Sequence, residues 1–158
     1  MRELDRLMNC PDVDDVQTGS VAVAPRAYAH GSPAPSLITQ LFAHRMRPNV
    51  LILGPVAWSE AIVEAIAVAQ ERPPICWVPD MPLPARADGR AIVIRDIATL
   101  SLGRQAAWIS WLDAQNDRTY RPQIVVTSSI AVFPLVTQGM FLKDLYYRLN
   151  TVLLEASR

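Results

Sequence analysis

The chain has 158 residues, 51% of them hydrophobic, with 15 Lys and Arg balanced by 15 Asp and Glu. Such a chain buries one respectable core, so one domain is expected, and a zero net charge supplies no general field for gathering nucleic-acid phosphates or anionic lipid. No basic run stands out and no apolar run reaches the roughly 20 residues of a spanning helix, so neither direct DNA binding nor a membrane partner is expected. The opening Met1-Arg2-Glu3-Leu4-Asp5-Arg6 is charged and lacks the apolar centre of a signal peptide, which points to a cytoplasmic protein. Cys10, Cys76, His30 and His44 show no metal-ligand spacing, so no metal or cofactor is expected. Cys76 lies in an apolar run that reads as the setting of a buried thiol.

Residues 1–35 read as an N-terminal arm or linker, because Asp12, Asp14, Asp15, Gly19, Gly31 and Pro11, Pro25, Pro33 and Pro35 crowd this stretch. Only Val21-Ala22-Val23-Ala24 offers a short strand there. From residue 36 to 158 the pattern becomes periodic. Leu37, Ile38, Leu41 and Phe42 fall at helical spacing behind a Ser36 cap. Asn49 to Gly54 is a short β-branched run and reads as a buried parallel strand. A helix follows, with Ser59 as its expected cap, Glu60 near its positive end and Ile62, Val63, Ile66 and Ala67 on one face.

The alternation continues with strands at 74–78 and 91–96, separated by a Pro-rich loop. Leu102, Gln105, Ile109 and Leu112 outline a helix capped by Ser101, and Gln123 to Thr127 makes a fourth strand. Trp108 and Trp111 lie in that helix, where aromatic residues at helical spacing are more often core than partner surface. Phe141, Leu145 and Leu149 recur every four residues, and Thr151 to Leu154 supplies a fifth strand. Strands alternating with helices imply a parallel sheet covered on both faces.

The segment Asp144-Leu145-Tyr146-Tyr147-Arg148-Leu149-Asn150 resembles a signature of the AAA+ ATPase domain of bacterial sigma-54-dependent transcription activators. The resemblance extends over about residues 36 to 155 and is strongest from Gly89 onward. It implies a P-loop NTPase-like three-layer α/β/α sandwich with a five-stranded, mostly parallel sheet. The helical lid that normally follows is expected to be absent, because the sequence ends at Arg158.

Against that family's pattern, the nucleotide positions carry the wrong chemistry. Gly54-Pro55-Val56-Ala57-Trp58-Ser59-Glu60-Ala61 takes the place of the phosphate-binding loop, which needs a second glycine, a lysine for the phosphates and a hydroxyl near the metal. Here Ser59, Glu60 and Ala61 stand at those places, Pro55 removes an amide donor and Trp58 adds bulk. Two unit charges about 4 Å apart interact by roughly 4 kcal/mol at an effective dielectric near 20, so exchanging lysine for glutamate turns a large attraction into a repulsion. On these residues alone, Gly54-Pro55 also reads as an ordinary strand-to-helix turn.

Gly89-Arg90-Ala91-Ile92-Val93-Ile94-Arg95-Asp96-Ile97-Ala98-Thr99-Leu100-Ser101 resembles the family's Gly-Gly-Thr-Leu-Phe-Leu-Asp-Glu-Ile-Gly-Glu-Leu-Ser. Arg95 thereby replaces the metal-associated aspartate, and Asp96 falls where a glutamate would polarise the attacking water. Ser129 replaces the asparagine that senses the γ-phosphate. The resemblance brings the lysine and aspartate positions close together, so Glu60 and Arg95, with charges exchanged, are expected to form an ion pair. Of the two arginines the family presents to a neighbour, Leu142 replaces the first and Arg148 keeps the second. An ordinary helix pairing of Arg148 with Asp144 remains the alternative. The Gly-Ala-Phe-Thr-Gly-Ala loop that contacts the sigma factor occurs nowhere in the chain.

These departures imply a catalytically inactive module, a pseudo-ATPase with a regulatory or protein-interaction role in bacterial transcription control. Its expected partners are itself, an intact AAA+ sigma-54 activator or another regulatory protein, met through Tyr147 and Arg148. Gly54, Pro55, Trp58, Ser59, Glu60, Ala61, Arg95, Asp96 and Ser129 would form a vestigial nucleotide site. The alternatives are a divergent nucleotide-binding protein using the amides from Gly54 to Ser59, or a small-ligand sensor using the same crevice.

Overall fold

The computed structural model describes residues 47–70, 73–85, 87, 89–115 and 121–156. The arm and domain boundary at residue 35, the strand at 21–24 and the helix behind Ser36 lie outside the described residues. Within them, β1 (Val50–Leu53), α1 (Val56–Ala69), β2 (Ile75–Trp77) and β3 (Ile92–Ile94) are followed by a 3-10 turn at Ile97–Thr99. Then come α2 (Leu102–Ala114), β4 (Ile124–Ser128), α3 (Phe133–Thr137), α4 (Lys143–Leu149) and β5 (Val152–Glu155).

The five strands form one sheet in the order β2-β3-β4-β1-β5. Every pairing is parallel, with Val50 beside Val125 and Val152, and Ile92 beside Ile75 and Ile124. The expected mostly parallel sheet is therefore wholly parallel across the described residues. β1, β3 and β4 occupy its interior, and the Val and Ile that fill them suit strands buried on both faces.

Because successive strand side chains point to opposite faces, the sheet separates two cores. Leu51, Ile92, Ile94, Ile124 and Val126 pack with Trp77, Trp108, Phe141, Leu145 and Leu149 beneath α2 and α4. Val50, Ile52, Val93, Val125 and Leu154 pack with Ile62, Val63 and Ile66 of α1. Helix, sheet and helix are the three layers. Each core is assembled from residues far apart in the chain, and burial of each large aliphatic side chain contributes about 1.5–3 kcal/mol of transfer free energy.

Side chains also secure the loops. Trp77 and Trp111 donate their indole N–H groups to the carbonyls of Pro82 and Pro84 at 3.0 and 2.7 Å, and Arg104 donates to Met81 O at 3.1 Å. The Pro-rich connection between β2 and β3 is thus tied down on α2. Trp108 is fully buried in an edge-to-face cluster with Trp77 and Trp111 at 5.0 and 5.2 Å, so these tryptophans stabilise the core. Gln105, also buried, donates to Leu100 O and Met140 O and accepts from Leu142 N at 2.7 Å, fixing the entry to α4.

Several sequence expectations need correction. Helix α1 starts at Val56 with Pro55 at its N-cap, so Ser59 lies inside the helix and is buried instead of capping it. Leu102, expected on the inner face of α2, is exposed, whereas Ser101 does cap that helix by accepting from Arg104 N. Cys76 is half-buried and disulfide-bonded instead of a buried thiol.

Candidate functional site

In open α/β sheets, ligands sit beyond the carboxyl ends of the strands. The residues there are Gly54 and Pro55 after β1, Arg95 and Asp96 after β3, and Ser129 after β4. The fold brings these three turns to one end of the sheet. What stands there differs from an open phosphate cradle, because only two residues separate β1 from α1.

The available amide donors are correspondingly few. Gly54 N donates to Ser128 O at 3.0 Å, Pro55 has no N–H, and the amides of Trp58 and Ser59 both donate to Pro55 O at 3.0 Å. In the stretch from Gly54 to Ser59, that leaves Val56 and Ala57 at the helix start, where first-turn N–H groups lack intrahelical acceptors. The space over the turn is also filled. A Cβ added to Gly54 would lie 2.8 Å from Trp58 Cε3 and 2.9 Å from Ala156 Cβ, so glycine is required by the close approach of the indole. The Trp58 indole nitrogen is buried without a hydrogen-bond partner among the described residues.

Glu60 and Arg95 meet across the turn. Arg95 Nε donates to Glu60 Oε1 at 2.8 Å and Nη2 donates to Oε2 at 2.9 Å, a two-pronged pairing suited to a planar guanidinium and a carboxylate. The side chains keep 23% and 38% of their exposure, so the pair is only partly screened by solvent. Hydrogen bonding to Glu60 raises the Arg95 pKa above its already high ordinary value, against the lowering effect of burial. Arg95 thus stays a cation fixed to an anion.

Asp96 has φ 47° and ψ 59°, a left-handed conformation that costs an ordinary L-residue about 1–2 kcal/mol. Its amide donates to Thr127 Oγ1 at 3.1 Å and its carbonyl accepts from the Thr99 hydroxyl at 2.8 Å. The strained turn is therefore fixed by its backbone, with no hydrogen bond from the carboxylate to a described residue. Ser129 is exposed just beyond β4, and Ala61 is half-buried on α1.

Arg148 and Tyr147 lie on another surface. Arg148 Nε donates to Asp144 Oδ1 at 3.1 Å, the helix pairing anticipated as the alternative, and Nη1 also pairs with Asp113 on α2. Hydrogen bonds to Asp113 first and Asp144 second raise its pKa. Tyr147 is 57% exposed and stacks edge-on against Tyr146, which tilts against Phe133 at 5.7 Å. Phe141, Leu145 and Leu149 are buried, as the four-residue spacing requires.

Sequence reasoning missed a cluster at the other end of the sheet. Arg47 before β1, Arg121 before β4 and Arg148 in the last turn of α4 line one cavity of about 450 Å3. No local run signals it, because the three arginines converge only when the strand starts align. Among the described residues there is no group of three or more His, Cys, Asp or Glu arranged to hold a metal. No helix among them is long and apolar enough to cross a membrane.

No family model matches the sequence, and no curated protein does. Solved structures do match in fold. NtrX from Brucella abortus in complex with ADP is 18% identical with a TM-score of 0.61, over 77% of this chain and 34% of that one. NtrX in complex with ATP is 18% identical with a TM-score of 0.60, over 97% and 41%. The Thermotoga maritima RuvB Holliday junction branch migration motor is 17% identical with a TM-score of 0.54, over 77% and 43%. The chain thus corresponds to well under half the length of each.

The chain shares its α/β fold, a parallel sheet with helices on both faces, with these structures. At these identities the likeness is one of fold. What is particular to this chain is the set of residues at the carboxyl end of the sheet, Glu60 and Arg95 above all.

Proposed function

We propose that this chain is a non-hydrolysing AAA+-like module that acts in bacterial transcription control through protein contacts. The observation that carries the proposal is the Glu60–Arg95 pairing at 2.8 and 2.9 Å, beside a helix that starts two residues after β1. A phosphate chain approaching this turn meets a carboxylate in place of an ammonium and few free amides. The role assigned to metal-bound aspartate by the family resemblance falls to a cation. Both phosphate and metal thereby lose their counter-charges.

The NtrX structures contain ADP and ATP, so the same fold in that protein accommodates a nucleotide and the difference must lie in residues. Calorimetry with magnesium-ATP tests the reading. No saturable heat is expected up to about millimolar ligand, corresponding to binding weaker than about −4 kcal/mol. A low-micromolar dissociation constant that depends on magnesium, or hydrolysis above the level of Glu60→Ala, would overturn it in favour of a divergent nucleotide-binding protein.

For the interaction role, the exposed Phe133 and Tyr147 flanking Tyr146 favour an aromatic contact with another copy or with an intact sigma-54 activator. Tyrosine commonly anchors such contacts. Arg148, held by Asp113 and Asp144, contributes by orienting the surface. Sedimentation of the wild type and Tyr147→Ser, alone and with an activator, would test this: a monomer in every mixture argues against it.

A further inference from the structure

Residues 122–142 contain no Lys, Arg, Asp, Glu or His. The first part of this stretch is β4, whose Ile and Val side chains lie inside the sheet, but the remainder comes to the surface. None of the five residues of α3 is buried. Ile130 before it, Phe133 within it and Met140 after it are 53%, 49% and 50% exposed. Beneath them Leu135 and Val136 pack on the tryptophan-bearing core, and the ring of Phe133 continues through Tyr146 to the exposed Tyr147 on α4. A short surface helix would ordinarily present polar or charged side chains outward; this one presents an apolar strip, and charge returns only at the exposed Lys143 and Asp144.

The strip is held in place from below. Gly139, at φ 73°, turns the chain at the end of α3, and Met140 N and Phe141 N both donate to Leu135 O, at 2.9 and 3.1 Å. Gln105 on α2 holds Met140 O and Leu142 N, and Phe141 is buried. A surface already ordered in this way loses little conformational entropy on association.

At about 150–250 Å2 for a large side chain, half of four such side chains amounts to roughly 300–500 Å2 of apolar surface, the size at which a patch on a monomer is often functional. A standard interface takes about 800 Å2 from each partner, of which about two-thirds is apolar when two identical chains meet. Ile130, Phe133, Met140 and Tyr147 therefore supply most of one half of a homodimer interface. Among the described residues this cluster has no counterpart: the other exposed large apolar side chains, Val56, Val68, Met81, Leu102 and Leu153, are spread over α1, the β2–β3 connection, α2 and β5. A head-to-tail ring needs two different surfaces that complement each other, whereas a two-fold pair needs one surface that complements itself. An uncharged apolar strip meets its own copy without like-charge repulsion.

We infer that α3 and its flanks form a two-fold interface with a second copy of this chain, with Phe133 near the axis and Ile130, Met140 and Tyr147 around it. The inference rests on the reading that this module acts through protein contacts, and it narrows that reading to one partner and one symmetry.

Sedimentation equilibrium of the full chain should show a reversible dimer with a dissociation constant below about 100 μM. Phe133→Asp and Phe133→Lys should each weaken it more than about tenfold, because a two-fold axis sets each new charge against its own copy. An equimolar mixture of the two variants should regain association, since opposite charges then meet. Val68→Asp, on the outer side of α1, should leave the dimer unchanged. Circular dichroism would verify folding, and Ile130→Asp with Ile130→Lys would replace the pair if the Phe133 variants do not fold. A dimer indifferent to these substitutions, a mixture that regains nothing, or an assembly larger than a dimer would overturn the inference, the last in favour of head-to-tail contacts. A chain that stays monomeric alone but binds an intact sigma-54 activator through Phe133 would overturn it while leaving the protein-contact reading standing, whereas a monomer in every mixture would remove both.

Discussion

The carboxyl and amino ends of this sheet place charge in opposite ways. At the carboxyl end, Glu60 and Arg95 neutralise each other and Trp58 packs on Gly54. At the amino end, Arg47, Arg121 and Arg148 surround an open cavity while Asn49 and Gln123 tie the backbone beneath it. At both ends charge meets charge within the chain, but at the carboxyl end the pair closes the turn, whereas at the amino end Asp113 and Asp144 hold Arg148 beside a cavity.

The largest effect is expected from Asn49→Ala. It removes the partners of Arg148 O and Ile124 N at once, and should cost about 2–3 kcal/mol in urea unfolding, because two backbone groups lose their acceptor or donor. A loss below about 1 kcal/mol would mean that water replaces both bonds, making the amino end wetter than the contrast requires.

Next comes Gly54→Ala, expected to cost about 1–3 kcal/mol through collision with Trp58 and Ala156. In a Trp58→Ala background the same change should cost clearly less, since one of the two close neighbours is gone. Equal costs in both backgrounds would show that the indole does not close this turn.

The smallest effect concerns the ion pair. Glu60→Gln or Arg95→Gln should each cost about 1 kcal/mol, discounted for the pair's partial exposure, and the double variant should cost less than the sum. Because the Arg95 pKa is raised, its stabilising contribution is present below the unfolded pKa and is lost only as pH rises through the still higher folded value. The difference between wild type and Arg95→Gln should therefore be unchanged from neutral pH to about pH 10. A decline over that interval would mean that the pairing is not what Arg95 contributes.

Much of the fold is legible in the sequence because interior parallel strands need unbroken apolar, β-branched runs, as in Val50–Leu53 and Ile92–Ile94. The Glu60–Arg95 contact is legible only through the family resemblance, since nothing local joins residues on α1 and after β3. The start of α1 is misread because Ser59 has the chemistry of a cap, while Pro55 already ends the strand in a helix-entry conformation. The 3-10 turn, the short α3 and the left-handed Asp96 carry too few residues for a periodic signal. Gln105 looks like a helix-face position, yet its value lies in three bonds to backbone, two of them more than 30 residues away in sequence. The arginine cavity is hidden for a different reason: adjacency across a parallel sheet comes from topology, not sequence spacing.

The shortness of the outer strands has a consequence for assembly. β2 has three residues and β5 four, and Glu155 places a charge on the latter. Short, charged margins are poor templates for adding a strand from another chain. Any ring or pair built from this domain should therefore join through side chains such as Phe133 and Tyr147, leaving the number of strands in each subunit unchanged.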